Sequence, residues 1–370
     1  MILHKHVLTE IIKTSSAILV GLLVIFLSMR LATYFADAAS GNLASQYVLK
    51  IVALKMLVSI QDLVPISMFL GSYTVVTSLQ KHSELVSMKA NGMSHLSMLL
   101  AVAKLSGIAA LVVAVMTCIV NPMAELKLVE LKDIGERTAT IANVAPGVFK
   151  KISGGDKVFF AESEATDKTF LEHVFVHDDT QPFDAAMIAE RSFILNNPDT
   201  GGKSAIFEEG TSYQGRPGTL SYVITNFKRY SVKIKSSGMT DVSAYPTYVT
   251  TSELIGPKKG SYYAAELHWR LALPVFAFIA PLIGLLIALK QKRGSWYLGF
   301  ATALGVYFSY LNALGIFKAM IKKQEVSAIL GFASAHLLFG LLLLLLYLDL
   351  ENKIRFKKNL RSTLTTKPNI

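Results

Sequence analysis

One cysteine in 370 residues, Cys118, excludes an internal disulfide and any cysteine-based metal cluster. Charge is also scarce: 17% of residues are Asp, Glu, Lys or Arg, against 52% hydrophobic. A soluble chain of this length carries more charge than that. Acidic residues are rarest outside one central stretch. Residues 122–265 hold 16 Lys/Arg against 18 Asp/Glu, whereas the remainder holds 21 against 8. The basic excess therefore belongs to the apolar parts, which points to anionic lipid rather than nucleic acid. Catalytic constellations are missing too. Gly201-Gly202-Lys203-Ser204 resembles the end of a phosphate loop, but Asn197 stands where the loop's first glycine is required, so it reads as a turn. His173 and His177 share one strand face with no third ligand evident.

What the chain does have is six apolar runs of membrane length, three on each side of the central stretch. They are Thr14–Tyr34, Met56–Leu79, Leu96–Val120, Leu271–Leu289, Trp296–Phe317 and Ile329–Leu348. A cleaved leader ending near Ala36-Asp37-Ala38 is the rival reading of the first run. The length of the run, Arg30 after its apolar core AILVGLLVIFLSM and the later spans argue against that. The second run sits in a longer helical stretch, 46–80, whose first turns are expected to project from the membrane and which Pro65 and Gly71 are expected to bend. Asp62 in that stretch reads equally as a structural hydrogen-bonding residue or a pathway residue. Pro274 and Pro281 predict a kinked fourth span. Counting Lys and Arg in the short connections gives 13 if both termini are inside and 4 on the opposite side. This places both termini in the cytoplasm and the central domain outside.

The expected organisation is thus 1–121 with spans one to three, an inserted domain over 122–265, spans four to six over 266–350, and a basic tail over 351–370. The tail's KIRFKKNLR segment is suited to the anionic leaflet. The insert begins with a helix over 124–140 and then reads as β-rich. Strand-like runs are 157–161, 170–177, 186–194 and 220–234, separated by Gly154-Gly155, 196–202 and 215–218. Short strands with turn signals favour a sandwich or jellyroll.

Several charged residues invite a role. Arg30 follows Lys13 by 17 residues, about 25 Å along a helix. It reads either as a snorkelling anchor or as a phosphate ligand above Phe26, one turn earlier. Lys318, Lys322 and Lys323 crowd an outside loop where few positives are expected. They reflect either ordinary tolerance or an anionic ligand in the outer half of the bilayer. Glu266 and Arg270 are spaced for an ion pair on a helix, beside the interfacial aromatics Tyr262, Tyr263 and Trp269. Ser83, Glu84 and a pattern ending at Asn91-Gly92 predict a short helix between spans two and three, either a plain connector or a docking element.

Four passages carry a resemblance: PISMFLG (65–71), SELVSMKANGMS (83–94), AELHWRL (265–271) and GTSYQG with YVITNFKRYSV (210–232). With the layout, they resemble the LptF/LptG permease family of the lipopolysaccharide exporter, on its LptF side, over nearly the full length. The resemblance implies an α-helical membrane protein with six transmembrane helices and an inserted all-β periplasmic jellyroll-like domain. It implies a Gram-negative inner-membrane location, an LptG-like permease partner and an LptB-like ATPase dimer that binds ATP and Mg outside this chain. An LptC-like periplasmic protein and lipopolysaccharide complete the set, with no cofactor in this chain. The segment near 82–93 becomes the coupling helix, with Glu84 at the family's acidic position and Ser83, Lys89, Asn91 and Gly92 beside it. Arg30 matches a basic family position, while Phe26, Lys318, Lys322 and Lys323 rest on charge and topology. A non-transporting periplasmic scaffold and a secondary transporter are the rival classes. The scaffold needs no basic rim, and the transporter needs inverted repeats and more buried acids.

Overall fold

The computed structural model describes residues 2–39, 43–138, 147–152, 157–165, 170–179, 184–196, 203–215, 221–234, 245–255, 260–291 and 296–365. Helices α1 (Ile2–Ala39), α2 (Ser45–Lys81), α3 (Glu84–Ala90) and α4 (His95–Val115) come first. A π turn, Met116–Val120, joins α4 to α5 (Asn121–Thr138). Six strands follow, then α6 (Thr251–Leu254), α7 (Ser261–Lys290), α8 (Trp296–Lys322) and α9 (Ala328–Thr365). Six helices are long and apolar enough to cross a membrane, in the expected order of three, insert, three. The second is one continuous 37-residue helix through Pro65. Helix α9 runs on through the basic tail segment as far as Thr365.

Two compact units result, each with its own core. The first comprises 1–27, 54–126 and 243–370. Its centre is α7, which is apolar all round over 271–289 and buried along most of its length, as a helix surrounded by helices must be. Phe276, Ile283, Leu285 and Leu286 of α7 pack with Phe69 and Tyr73 of α2 and Tyr310 of α8. Gly284 allows that approach, since a Cβ there would lie 2.9 Å from the Phe69 ring. A hydrophobic driving force between helices is absent in lipid, so close backbone approach through small residues takes its place.

Gly71 shows the same principle. A Cβ on Gly71 would stand 2.0 Å from Ser15 Oγ and 3.0 Å from Ser15 N, so the glycine sets how closely α1 meets α2. Gly71→Val is therefore expected to lower the melting temperature of the purified protein by several degrees, the scale of a 1–3 kcal/mol overpacking penalty. Adding Ser15→Gly should restore part of it. A double variant no better than Gly71→Val would show that the two residues are not in contact.

The second unit comprises 28–53 and 127–242. Within it Gly135 of α5 lets Leu43 close in, with Ala44 N–H donating to the Gly135 carbonyl at 3.1 Å. Strands β1 (Lys150–Ile152), β2 (Lys157–Glu164), β3 (Leu171–Asp178), β4 (Asp184–Asn196), β5 (Lys203–Gly215) and β6 (Tyr222–Ile234) form one antiparallel meander in sequence order. The four expected strands are β2, β3, β4 and β6, while β1 and β5 were not anticipated. The turn glycines Gly154, Gly155, Gly201 and Gly202 lie outside the described residues.

The sheet carries one crease. Its register steps over Glu162 and His173 between β2 and β3, then over His173 and Glu190, Glu190 and Glu209, and Glu209 and Lys228. His173 and Glu209 take left-handed backbone, φ 49° and 51°. Strict alternation would put Leu171 and Val174 on opposite faces, yet both are buried, as are Ala189 and Ser192. The one-residue offset at the crease keeps the apolar side chains of both halves on one face. Phe159, Val174, Met187 and Phe207 make that core.

Candidate functional site

Two places in the first unit gather the residues singled out by sequence. The first is the end of the bundle where α3 joins α2 to α4. Ser83 stands at the N-cap of α3 in left-handed backbone, φ 62°, and its side chain makes no capping bond. Its N–H bonds the Gln80 carbonyl, so Ser83 is the left-handed residue that ends α2. At the other end of α3 the expected stop is present. Gly92 takes φ 86°, its N–H reaches the Lys89 carbonyl, and Met93 N–H reaches that of Met88. These two bonds make a Schellman cap, with Met88 and Met93 buried as its apolar contact. The Asn91 side chain donates to the Ser87 carbonyl at 2.8 Å.

Seven residues cannot hold a helix unaided. Here Leu85, Met88 and Met93 anchor α3 in the helical core, leaving Glu84 and Lys89 on its exposed face. Glu84 sits in the first turn, where the helix dipole favours an acid, with His6 Nε2 of α1 3.8 Å away. Around this platform the helix ends are tied by polar side chains. Tyr73 donates to the Gln291 side chain at 2.7 Å, Gln80 to the Leu289 carbonyl at 3.1 Å, and Lys290 pairs with Asp349.

The second place is the opposite end, where the chain leaves for the sheet and returns. Glu266 of α7 is buried and accepts from two cations. Arg270 Nε donates to its Oε1 at 3.3 Å, and Lys318 Nζ of α8 to its Oε2 at 2.9 Å. Lys318 also lies over the Trp269 ring, 4.7 Å from its centroid. The expected Glu266–Arg270 pair is thus a triad with a net positive charge, in which Lys318 already has a carboxylate. Lys322, one turn on, stands 5.8 Å from the Tyr262 ring and is exposed, as is Lys323. Lys318 and Lys322 lie in the last turns of α8 and Lys323 directly follows it, where the helix dipole favours cations. Gln324 ends that helix in the left-handed region, φ 64°.

Arg30 and Phe26 are both half-buried, one turn apart on α1. Arg30 belongs to the second unit and the three lysines to the first. Asp62 stands on an exposed side of α2. Sequence reasoning missed a buried polar group in the helical core: Tyr310 OH and His336 Nδ1 are 2.6 Å apart, with the His336 ring edge-on to Phe332 at 4.5 Å. Among the described residues no three His, Cys, Asp or Glu side chains converge as a metal site.

Comparison with known proteins bears on the whole arrangement. The family model described as "Lipopolysaccharide export system permease LptF/LptG" matches residues 5–349. The "Lipopolysaccharide export system permease protein LptF" of Escherichia coli strain K12 is 24% identical over 353 residues, covering 94% of this chain and 95% of that protein. The proteins of the same name from Escherichia coli O157:H7 and Shigella flexneri match at the same identity and coverage.

Proposed function

The chain belongs to the LptF/LptG family of lipopolysaccharide export permeases, and we propose that it is the LptF-type half of a two-permease exporter. In this reading it takes lipopolysaccharide from the outer leaflet of the inner membrane and passes it to a periplasmic bridge toward the outer membrane. The observation that carries the proposal is the extent of the match, residues 5–349, which takes in all six spans and the inserted sheet together.

The roles follow the two ends of the bundle. Helix α3 is the coupling helix, presenting Glu84 with Ser83, Lys89, Asn91 and Gly92 to an LptB-like ATPase dimer that binds ATP and Mg. Spans one and five line the seam with an LptG-like permease. The long exposed faces of α1, with Val20, Val24, Ile25 and Met29 uncovered, support this. Arg30 above Phe26 in the second unit, and separately Lys318, Lys322 and Lys323 in the first, are the cations assigned to lipid A phosphates, since charge-assisted contacts are strong in a low-dielectric setting. Lys318 would enter as the surplus cation of its triad. Both termini are cytoplasmic and the sheet is periplasmic. Strand β6 is its long edge, 13 residues against three in β1, and suits strand addition by an LptC-like jellyroll.

Depletion from a conditional strain is the direct test. Newly made lipopolysaccharide should accumulate in the inner membrane and surface lipopolysaccharide should fall. Normal delivery to the cell surface after depletion overturns the proposal.

A further inference from the structure

Two helices of the first unit are interrupted by proline at the same end of the bundle. In an α-helix the carbonyl of residue i accepts from the N–H of residue i+4, and proline has none to give. Pro122, just past the π turn, has no N–H to offer the Cys118 carbonyl four residues earlier, and Pro274 has none to offer the Arg270 carbonyl inside α7. Threonines from distant parts of the chain reach both. The Thr251 hydroxyl of α6 donates to the Cys118 carbonyl. The Thr117 hydroxyl lies 3.1 Å from the Arg270 carbonyl, 3.0 Å from that of Val113 and 3.3 Å from that of Ala114, so its one proton is shared among them.

The Arg270 side chain completes the arrangement. Beyond Glu266, its Nη1 donates to Thr251 Oγ1 at 2.9 Å, and its Nη2 to the carbonyls of Pro246 and Thr247, each at 3.1 Å. Arg270 is only 3% exposed. One guanidinium thus gathers the segment returning from the sheet, and one hydroxyl passes the connection on to the break in the outgoing helix. Thr251 is central because its hydroxyl donates and accepts at once. A serine could do the same and a valine could not.

We propose that Thr117, Thr251 and Arg270 form a clamp that positions the two proline-broken helices against each other, so that the outgoing and returning segments move as one piece. This rests on the export reading. Proline breaks are where helices bend most easily, and a bend point with its carbonyl held from outside loses that freedom. Movement in α7 is then carried to α4 and to the chain leading into the sheet. These residues position the transport step and need not touch its cargo.

Thr251→Val is the decisive variant, with Thr251→Ser as the conservative control and Arg270→Gln alongside. They are studied in the assembled permease–ATPase complex in lipid nanodiscs. Cys118, the single cysteine, reports the clamp directly through its rate of alkylation by N-ethylmaleimide. That rate is expected to rise roughly tenfold in Thr251→Val, the factor that corresponds to losing one buried hydrogen bond. Lipopolysaccharide released per ATP hydrolysed should fall severalfold while ATP hydrolysis itself stays within about twofold. Thr251→Ser should restore both. Unchanged Cys118 reactivity in Thr251→Val overturns the clamp, and so does a fall of export and hydrolysis by the same factor, which marks a merely structural loss. Absence of export by the unmodified complex overturns the export reading instead, and the alkylation rates still decide the clamp geometry. If Arg270→Gln fails to assemble, the Thr251 pair carries the decision.

Discussion

Replacing Glu266 by alanine is expected to deplete the protein from the membrane and to lower the melting temperature of whatever remains. The carboxylate is the shared partner of Arg270 and Lys318, whose side chains are 4% and 22% exposed. Removing it leaves two neighbouring cations in a poorly hydrated site. Breaking a buried ion pair from one side costs about 3–5 kcal/mol, because the stranded charge keeps its desolvation penalty. That is a large fraction of the roughly 5–15 kcal/mol by which folded domains exceed their unfolded states. Arg270 retains Thr251 and the carbonyls of Pro246 and Thr247, so the loss should fall short of complete unfolding. Glu266→Gln keeps an acceptor for one of the two donors, turns an amide NH2 toward the other and removes the charge, and should land between parent and alanine.

The complementary change separates structure from ligand binding. Lys318→Met removes the surplus cation and leaves Glu266 and Arg270 as a neutral pair. It should therefore leave the melting temperature unchanged or slightly raised. Detergent-extracted protein heated in steps and scored by size-exclusion recovery is enough to rank the four proteins. A Glu266→Ala variant that melts within about 2 °C of the parent would mean that water reaches the triad and that the site is not the low-dielectric one described.

The six spans and the position of the insert were legible because membrane length and hydropathy are local properties, readable from a window of sequence. Strand β5 was hidden for an equally local reason. Glu208-Glu209-Gly210 interrupts its apolar alternation, and Glu209 and Gly210 lie at the crease, where the pairing steps over one residue on each of β2 to β6. A period-two pattern cannot be recognised across a phase shift that only neighbouring strands explain. Ser83, expected at the start of the short helix, does stand at the N-cap of α3, but its left-handed backbone, φ 62°, was not readable from its residue type.

The charged residues divide along the same line. Glu266 and Arg270 announce each other by a spacing of four, but Lys318 lies 52 positions from Glu266 and no sequence pattern links them. Read alone, Lys318 is an excess cation on the wrong side of the membrane. In the fold it is half of a bifurcated partnership, and only its remaining charge is available to a ligand. The clamp is subtler still. Pro122 and Pro274 are visible as helix breakers, but which hydroxyl meets which carbonyl depends on packing across 133 and 153 residues.

In the proposed complex, Glu84→Ala is expected to reduce co-purification of the LptB-like ATPase roughly thirtyfold or more, the scale of truncating one charged partner at an interface, while the membrane level of this protein stays unchanged. The separation of the two effects follows from how α3 is held. Its stability comes from Leu85, Met88 and Met93 in the core and from the Gly92 cap, none of which touches the Glu84 carboxylate. Glu84 is exposed and its contact with His6 is long, at 3.8 Å, so it contributes little to folding. Gly92→Val makes the contrasting case. A β-branched residue at φ 86° strains the backbone, and the Schellman cap is lost with it. That variant should lose membrane level and ATPase together. Export should track ATPase binding in Glu84→Ala, since an uncoupled permease has no source of work. Full co-purification and normal export in Glu84→Ala would leave α3 as a connector whose buried face matters and whose exposed face does not.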